Sequence, residues 1–355
     1  MDDTVIIGFD TEYERIPDTD RNHVLSYQYA GRYQGNTWSG IIYTDGPELK
    51  QRITLEEFVR IAVDEGRRLK LLPRKWPKTV YLAAHFSRAD ISHFKNFPQI
   101  KRRFDGVAST FATLSYPFKA KIYKSRTKRF INVYLIDTML LTPDRGGLEI
   151  LGEMHGFRKL KMSHEELENM SLILREEPDR FEEYAIRDAE IAALHAEKMM
   201  EFARDNMGLA ANLTTLGSLA VRDIKRIWDT LGIDMLEVLG SEKVKETEWD
   251  TIRNRPRTRT PTVSIPIVHN NKPLATECYH GGRNEAFVFG FSELGWWYDY
   301  DLAGAYTTAM AAIKMPDYER LRHTKELLDF KLDELGFARV NFKFPEFTRF
   351  PCFPI

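Results

Sequence analysis

The sequence predicts an α/β protein built in more than one part. Apolar runs at residues 4–9, 24–33, 37–44 and 79–85 read as strands. Residues 55–72 and most of 147–207 carry helical spacing. A change of character over 208–260, ending in the basic and proline-containing stretch 253–261, separates these from later strand-like segments.

Each element has a local reason. The run 4–9 is short and apolar, as a buried strand is, and leads directly into Asp10 and Glu12. Gln34-Gly35-Asn36 separates 24–33 from 37–44 and reads as a hairpin turn. Thr54 is placed to cap the helix 55–72, with Glu57 three residues on. A helix is expected from Ser87, after the strand 79–85. Residues 119–136 read as a basic strand pair ending in 130–136, and Pro178 sits where a long helix can start. Further on, 214–231 is a helix, 263–268 a strand, another strand leads into Asp301, 305–313 is helical and 336–344 alternates like a strand. Trp296 and Trp297 read as core residues, and Met199, Met200 and Met207 as helix packing.

Composition bounds the class. The chain has 355 residues, 43% hydrophobic and 29% charged, long enough for more than one core. No apolar run approaches membrane-spanning length, and because the start runs straight into a strand no secretion signal is expected. The two cysteines, Cys278 and Cys352, make neither a zinc cluster nor a disulfide scaffold, so a reducing compartment is expected. The net charge of −1 does not by itself point to nucleic acid. Lys and Arg nevertheless cluster at 67–78, 101–103, 119–129 and 253–259, as in a protein that tracks a phosphate backbone or one with ordinary solvated faces. The run 253–259 fits a DNA-binding loop and a solvated linker equally well.

Three acidic boxes carry the chemistry: Phe9-Asp10-Thr11-Glu12, then His85-Phe86-Ser87-Arg88-Ala89-Asp90, then Tyr184-Ala185-Ile186-Arg187-Asp188. Asp10 and Glu12, two apart on a strand, share a face. Tyr184 and Asp188, four apart on a helix, also share one. Asp90 sits just beyond the second buried strand. If these elements pack, four carboxylates converge, repel and raise one another's pKa, a conflict that divalent cations resolve. All-oxygen ligation favours two Mg²⁺ or Mn²⁺ ions, about 4 Å apart across a scissile phosphate. Asp10 is the best ligand to share between both ions, and Tyr184 would hold the attacking water. His85 reads either as a buried structural histidine or as a DNA contact.

These boxes resemble the three motifs of the DEDD 3′–5′ exonucleases that carry Tyr in the third. Tyr279-His280-Gly281-Gly282 and Asp301-Leu302-Ala303-Gly304-Ala305-Tyr306 resemble the Tyr-x-Gly-Gly and first palm motifs of family B DNA polymerases of the protein-primed type. The resemblance implies an RNase H-like exonuclease domain over 1–205, a helical connector and basic linker over 206–262, and an incomplete polymerase palm over 263–355. It implies Asp10, Glu12, Asp90 and Asp188 as nuclease metal ligands, Tyr184 as catalytic, and Asp301 as a palm metal ligand. Thr138, Lys161, Tyr279, Gly281 and Gly282 would contact DNA, with Lys159 the other choice for the family's lysine. Tyr306 would bind the incoming nucleotide.

The expected partners are single-stranded primer ends and template DNA, dNTP where a palm is complete, and a terminal priming protein. The expected setting is a cytoplasmic or host-cell replication compartment, with mitochondrial or viral origin left open. The later palm motifs are missing, so no polymerisation is expected from this stretch alone. Phe86 stands where the family has Asn, and Ala89 where it has an aromatic. The competing readings are a catalytically silent module that binds DNA or a priming protein, and a free-standing nuclease.

Overall fold

A computed structural model describes residues 4–114, 116–121, 130–209, 213–250, 254–281, 290–291, 294–331 and 333–348. The chain divides into two units, Met1–Ile224 and Lys225–Ile355.

The first unit is a mixed sheet with helices on both faces. Its strands are β1 (Val5–Arg15), β2 (Asn22–Tyr33), β3 (Asn36–Tyr43) and β4 (Thr79–Ala84), followed by the small hairpin β5 (Asp105–Val107) and β6 (Thr110–Ala112), then β7 (Phe118–Lys121) and β8 (Phe130–Asp137). The six-stranded sheet has the order β3-β2-β1-β4-β8-β7. β1 runs parallel to β4, and β4 to β8, while β2, β3 and β7 pair antiparallel with their neighbours. The β2–β3 hairpin turns on Gln34 and Gly35, both at positive φ, as a tight two-residue loop requires.

Strand alternation sends β1 side chains to opposite faces. Val5, Ile7 and Phe9 enter a core with Leu55, Phe58, Val59, Ala62 and Val63 of α1 (Leu55–Arg68). Thr54 caps α1 by accepting the Glu57 amide hydrogen at 3.2 Å. On the other face Ile6 packs with Ala189, Ala193 and Ala196 of the long helix Pro178–Met207. Gly8 makes that contact tight: a Cβ there would lie 2.0 Å from the Ala189 carbonyl oxygen. Asp10 and Glu12 continue the Gly8 face and so point to the side that the long helix covers.

Short helices complete the unit: α2 (Ser87–Ile91), α3 (Phe97–Ile100), α4 (Leu148–Met154), α5 (His164–Glu168) and α6 (Met170–Glu176), ahead of the long helix, α7. Pro178 stands in the first turn of α7, and Gly208, at φ 63°, caps its end. Next comes α8 (Leu216–Leu231), in which the division between units falls. No helix of the described residues is long and apolar enough to cross a membrane.

The second unit departs from the strand expectations. Residues 255–259 are not a linker: Arg255–Arg259 forms a strand antiparallel to Glu246–Asp250. The register sets Glu246 opposite Arg259 and Glu248 opposite Arg257, and Arg259 pairs with both acids at 3.2 and 3.3 Å. Cross-strand neutralisation explains how so basic a run becomes a strand. The predicted strand 263–268 is shortened to Thr262–Ser264, because Pro266 starts the helix Pro266–Glu277. The described residues of 294–301 and 336–344 hold no strand. Trp296 and Trp297, expected in a core, are exposed.

Candidate active site

The acids come from three elements. Asp10 and Glu12 lie half-buried in the middle of β1, just before the β1–β2 register slips between Glu12 and Tyr13. Asp188 and Tyr184 are both buried, one turn apart on α7. Asp90 is buried on α2, close behind β4.

A left-handed residue makes the turn that delivers Asp90. Phe86 has φ 60° and ψ 55°, and its ring is 40% exposed. The turn is fastened by Asp137, fully buried at the end of β8. Its carboxylate accepts the amide hydrogens of Phe86 (3.1 Å), Ser87 (2.7 Å) and Met139 (2.9 Å) and the hydroxyl of Thr110. Sequence reading passed over Asp137 in favour of its neighbour Thr138. Its position at the tip of the strand beside β4 was the available signal.

The electrostatics show that the acids share one neighbourhood. Burial pushes the Asp10 carboxyl well above the usual carboxylate range, and Asp90, Glu12 and Asp188 add to the rise. Burial and then Asp188 push Glu12 up to about 8. Burial raises Asp90 to about 7 against the opposing hydrogen bond from Thr11. Asp188 is raised by burial, with Lys159 opposing.

Lys159 is the cation of this cluster. It lies in the irregular stretch 157–163, hydrogen-bonds Asp188 Oδ2 and stands 5.2 Å from the centre of the Tyr184 ring. Burial works against its charge, but Asp188, Tyr184 and Asp10 outweigh that and hold the amine above its ordinary range. Lys161, favoured from sequence, is exposed and pairs with Glu149 at 2.8 Å.

The donors suit hard divalent cations. All are oxygens, like charges are massed, and Asp188 Oδ1 is buried with no hydrogen-bond partner. Among the described residues no three His, Cys, Asp or Glu side chains form a ready-made ligand cage. The acids converge without closing on one point, and an ammonium group stands against one of them.

The other sequence-predicted residues are placed as follows. Thr138 is fully buried. Its hydroxyl donates to the Ala84 carbonyl at 3.1 Å and lies 3.0 Å from His85 Nδ1, so it ties β4 to β8 rather than offering a surface. Tyr279, Gly281, Asp301 and Tyr306 belong to the second unit and are exposed. Gly304, at φ 67°, starts the helix Ala305–Ala311 that carries Tyr306. Gly282 lies outside the described residues.

No protein-family model matches the chain. A search of curated proteins finds the primer-independent DNA polymerase PolB of Escherichia coli, 34% identical over 371 aligned residues. The match takes in 99% of this chain but 43% of that polymerase, so the chain spans less than half the length of its relative. That polymerase is named as primer-independent, which lends nothing to the expected protein-primed type or its priming protein. Over almost its whole length, the chain is similar to part of a DNA polymerase, PolB.

Proposed function

We propose that the first unit is a two-metal 3′–5′ exonuclease that trims single-stranded DNA ends, within a family B DNA-directed DNA polymerase. The observation that carries the reading is the meeting of Asp10, Glu12, Asp90 and Asp188 in one mutually charged cluster, with Tyr184 and Lys159 against Asp188. The sheet order β3-β2-β1-β4-β8, with β2 antiparallel between β3 and β1, supports an RNase H-like core.

In this reading the four acids hold Mg²⁺ or Mn²⁺. When bound, two such ions supply an activated water and offset charge on the leaving 3′-oxygen. Tyr184 orients the water through its hydroxyl. Lys159 keeps one positive charge inside an acidic cluster that must admit a phosphodiester, and it opposes the rise that burial imposes on the Asp188 pKa. The exposed Phe86 ring, close to Asp90 in sequence, offers a face for a base where a polar residue would offer a hydrogen bond. In the second unit, Asp301 serves as a palm carboxylate, Tyr306 packs against the incoming dNTP, and Tyr279 with Gly281 and Gly282 lets template DNA approach closely.

The test is cleavage of a 5′-labelled single-stranded oligonucleotide in Mg²⁺. Wild type should release nucleoside monophosphates, and Asp10→Ala should be slower by several orders of magnitude. Equal rates for the two proteins, with DNA binding kept, would replace the nuclease with a silent DNA-binding module.

A further inference from the structure

We infer that Asn22, His93 and Thr11 form a one-way hydrogen-bond chain that positions Asp90, with Thr11 and His93 acting as positioning residues for the nuclease site. The inference rests on the nuclease reading above and deepens it.

Thr11 is the middle residue of the first acidic box. Alternation along β1 turns it away from the face of Asp10 and Glu12. Its side chain is 4% exposed, and its hydroxyl donates to Asp90 Oδ1 at 2.8 Å. The same oxygen lies 2.8 Å from His93 Nδ1. A hydroxyl has one hydrogen, and a carboxylate can only accept. With that hydrogen on Asp90, His93 Nδ1 must carry its own hydrogen and donate to Thr11.

The far side of the ring gives the same answer. His93 Nε2 lies 3.1 Å from Asn22 Nδ2, an amide nitrogen that only donates, so Nε2 accepts. The two ends of the ring therefore agree on one tautomer. A ring whose Nε2 accepts carries its single hydrogen on Nδ1.

The rest of His93 is fixed too. Its carbonyl accepts the Tyr27 hydroxyl at 2.8 Å, and its ring packs on Tyr13, with centroids 4.3 Å apart. The chain therefore runs from a locked imidazole through one hydroxyl to one carboxylate oxygen of Asp90. Partners behind a ligating carboxylate set its orientation and basicity, and their loss costs about 10–100-fold in metal affinity or activity.

The experiment uses the full chain and four variants: Thr11→Val, Thr11→Ser, His93→Phe and His93→Asn. Thr11→Val keeps shape without the hydroxyl, while Thr11→Ser keeps the hydroxyl. His93→Asn restores a donor near the Nδ1 position, and His93→Phe restores only the ring. Two readouts are taken beside thermal melts: Mn²⁺ affinity by titration calorimetry, and Mg²⁺-dependent cleavage of the labelled oligonucleotide. Nitrogen-15 spectra of the metal-free protein report the His93 tautomer independently of activity.

Thr11→Val and His93→Phe should weaken Mn²⁺ binding and slow cleavage by about 10–100-fold, mainly in kcat. Thr11→Ser and His93→Asn should recover most of both, and the spectra should show hydrogen on Nδ1. Hydrogen on Nε2, or a Thr11→Val protein that melts, binds Mn²⁺ and cleaves like wild type, overturns the chain while leaving the nuclease standing. Wild type no faster than Asp10→Ala removes the nuclease and the positioning role together.

Discussion

Lys159 donates its ammonium group to the carboxylate of Asp188, and this pairing joins an irregular segment to the middle of α7. The ammonium is the one positive group in direct contact with these acids among the described residues. It acts as a resident counter-charge in a cluster whose burial favours protonated acids.

Removing that charge should be costly for catalysis. Lys159→Met keeps the aliphatic stem and loses the ammonium. We expect Asp188 to rise further in pKa and cleavage to fall by about 10²–10³-fold, the scale of losing one preorganised electrostatic group. Single-turnover rates against Mg²⁺ concentration provide the check, and a wild-type rate at saturating Mg²⁺ would contradict it.

The raised carboxyls make an unusual stability profile. Glu12 and Asp90 sit at about 8 and about 7 in the fold, against ordinary values of 4.5 and 3.8. Between those limits the folded chain keeps protons that the unfolded chain has released. Their contribution to stability is complete below about pH 4 and is lost as pH climbs through 7 and 8. Melting temperature without divalent ions should therefore drop between about pH 5 and pH 8. The slope is at most about 1.4 kcal/mol per pH unit for each acid. Glu12→Gln with Asp90→Asn should flatten the drop, and Mg²⁺ should offset it.

Asp137 should matter for folding more than its place outside the acid cluster suggests. Asp137→Ala leaves the amide hydrogens of Phe86, Ser87 and Met139 without their acceptor, that of Ser87 buried and the other two partly so. Each such group costs about 1–3 kcal/mol. Urea unfolding should show a loss of roughly 3 kcal/mol or more, and a loss below 1 kcal/mol would refute this account.

Phe86 should respond in the opposite sense. A left-handed backbone costs an ordinary L residue about 1–2 kcal/mol, and Asn bears it better. Phe86→Asn should raise unfolding free energy by about 0.5–1 kcal/mol while weakening single-stranded DNA binding through loss of the ring. Equilibrium unfolding and fluorescence anisotropy measure the two halves separately.

Much of this architecture could be read from residue spacing. Period two on β1 gives the shared face of Asp10 and Glu12, and period 3.6 on α7 gives that of Tyr184 and Asp188. Thr54 and Pro178 mark helix starts by local chemistry alone. What spacing could not deliver was long-range closure. Asp137 gathers partners from residues 86, 110 and 139, a grouping that only the folded sheet creates. Lys159 and Lys161 lie in a stretch without regular structure, so no periodicity chooses between them. The arginines of 255–259 read as a DNA-binding loop or a solvated linker because their acidic partners sit on the opposing strand.

Gly8 has a wider consequence. Because α7 rests where a methyl group would have to be, the seat of Asp188 opposite β1 depends on bare backbone meeting bare backbone. Any enlargement at that seam, whether at Gly8, Ala189 or Ala193, would act as a wedge. It would pry the third acidic box from the first while leaving every reactive side chain intact. An inactive variant of this kind would retain its full chemical inventory and lack only the proximity to use it.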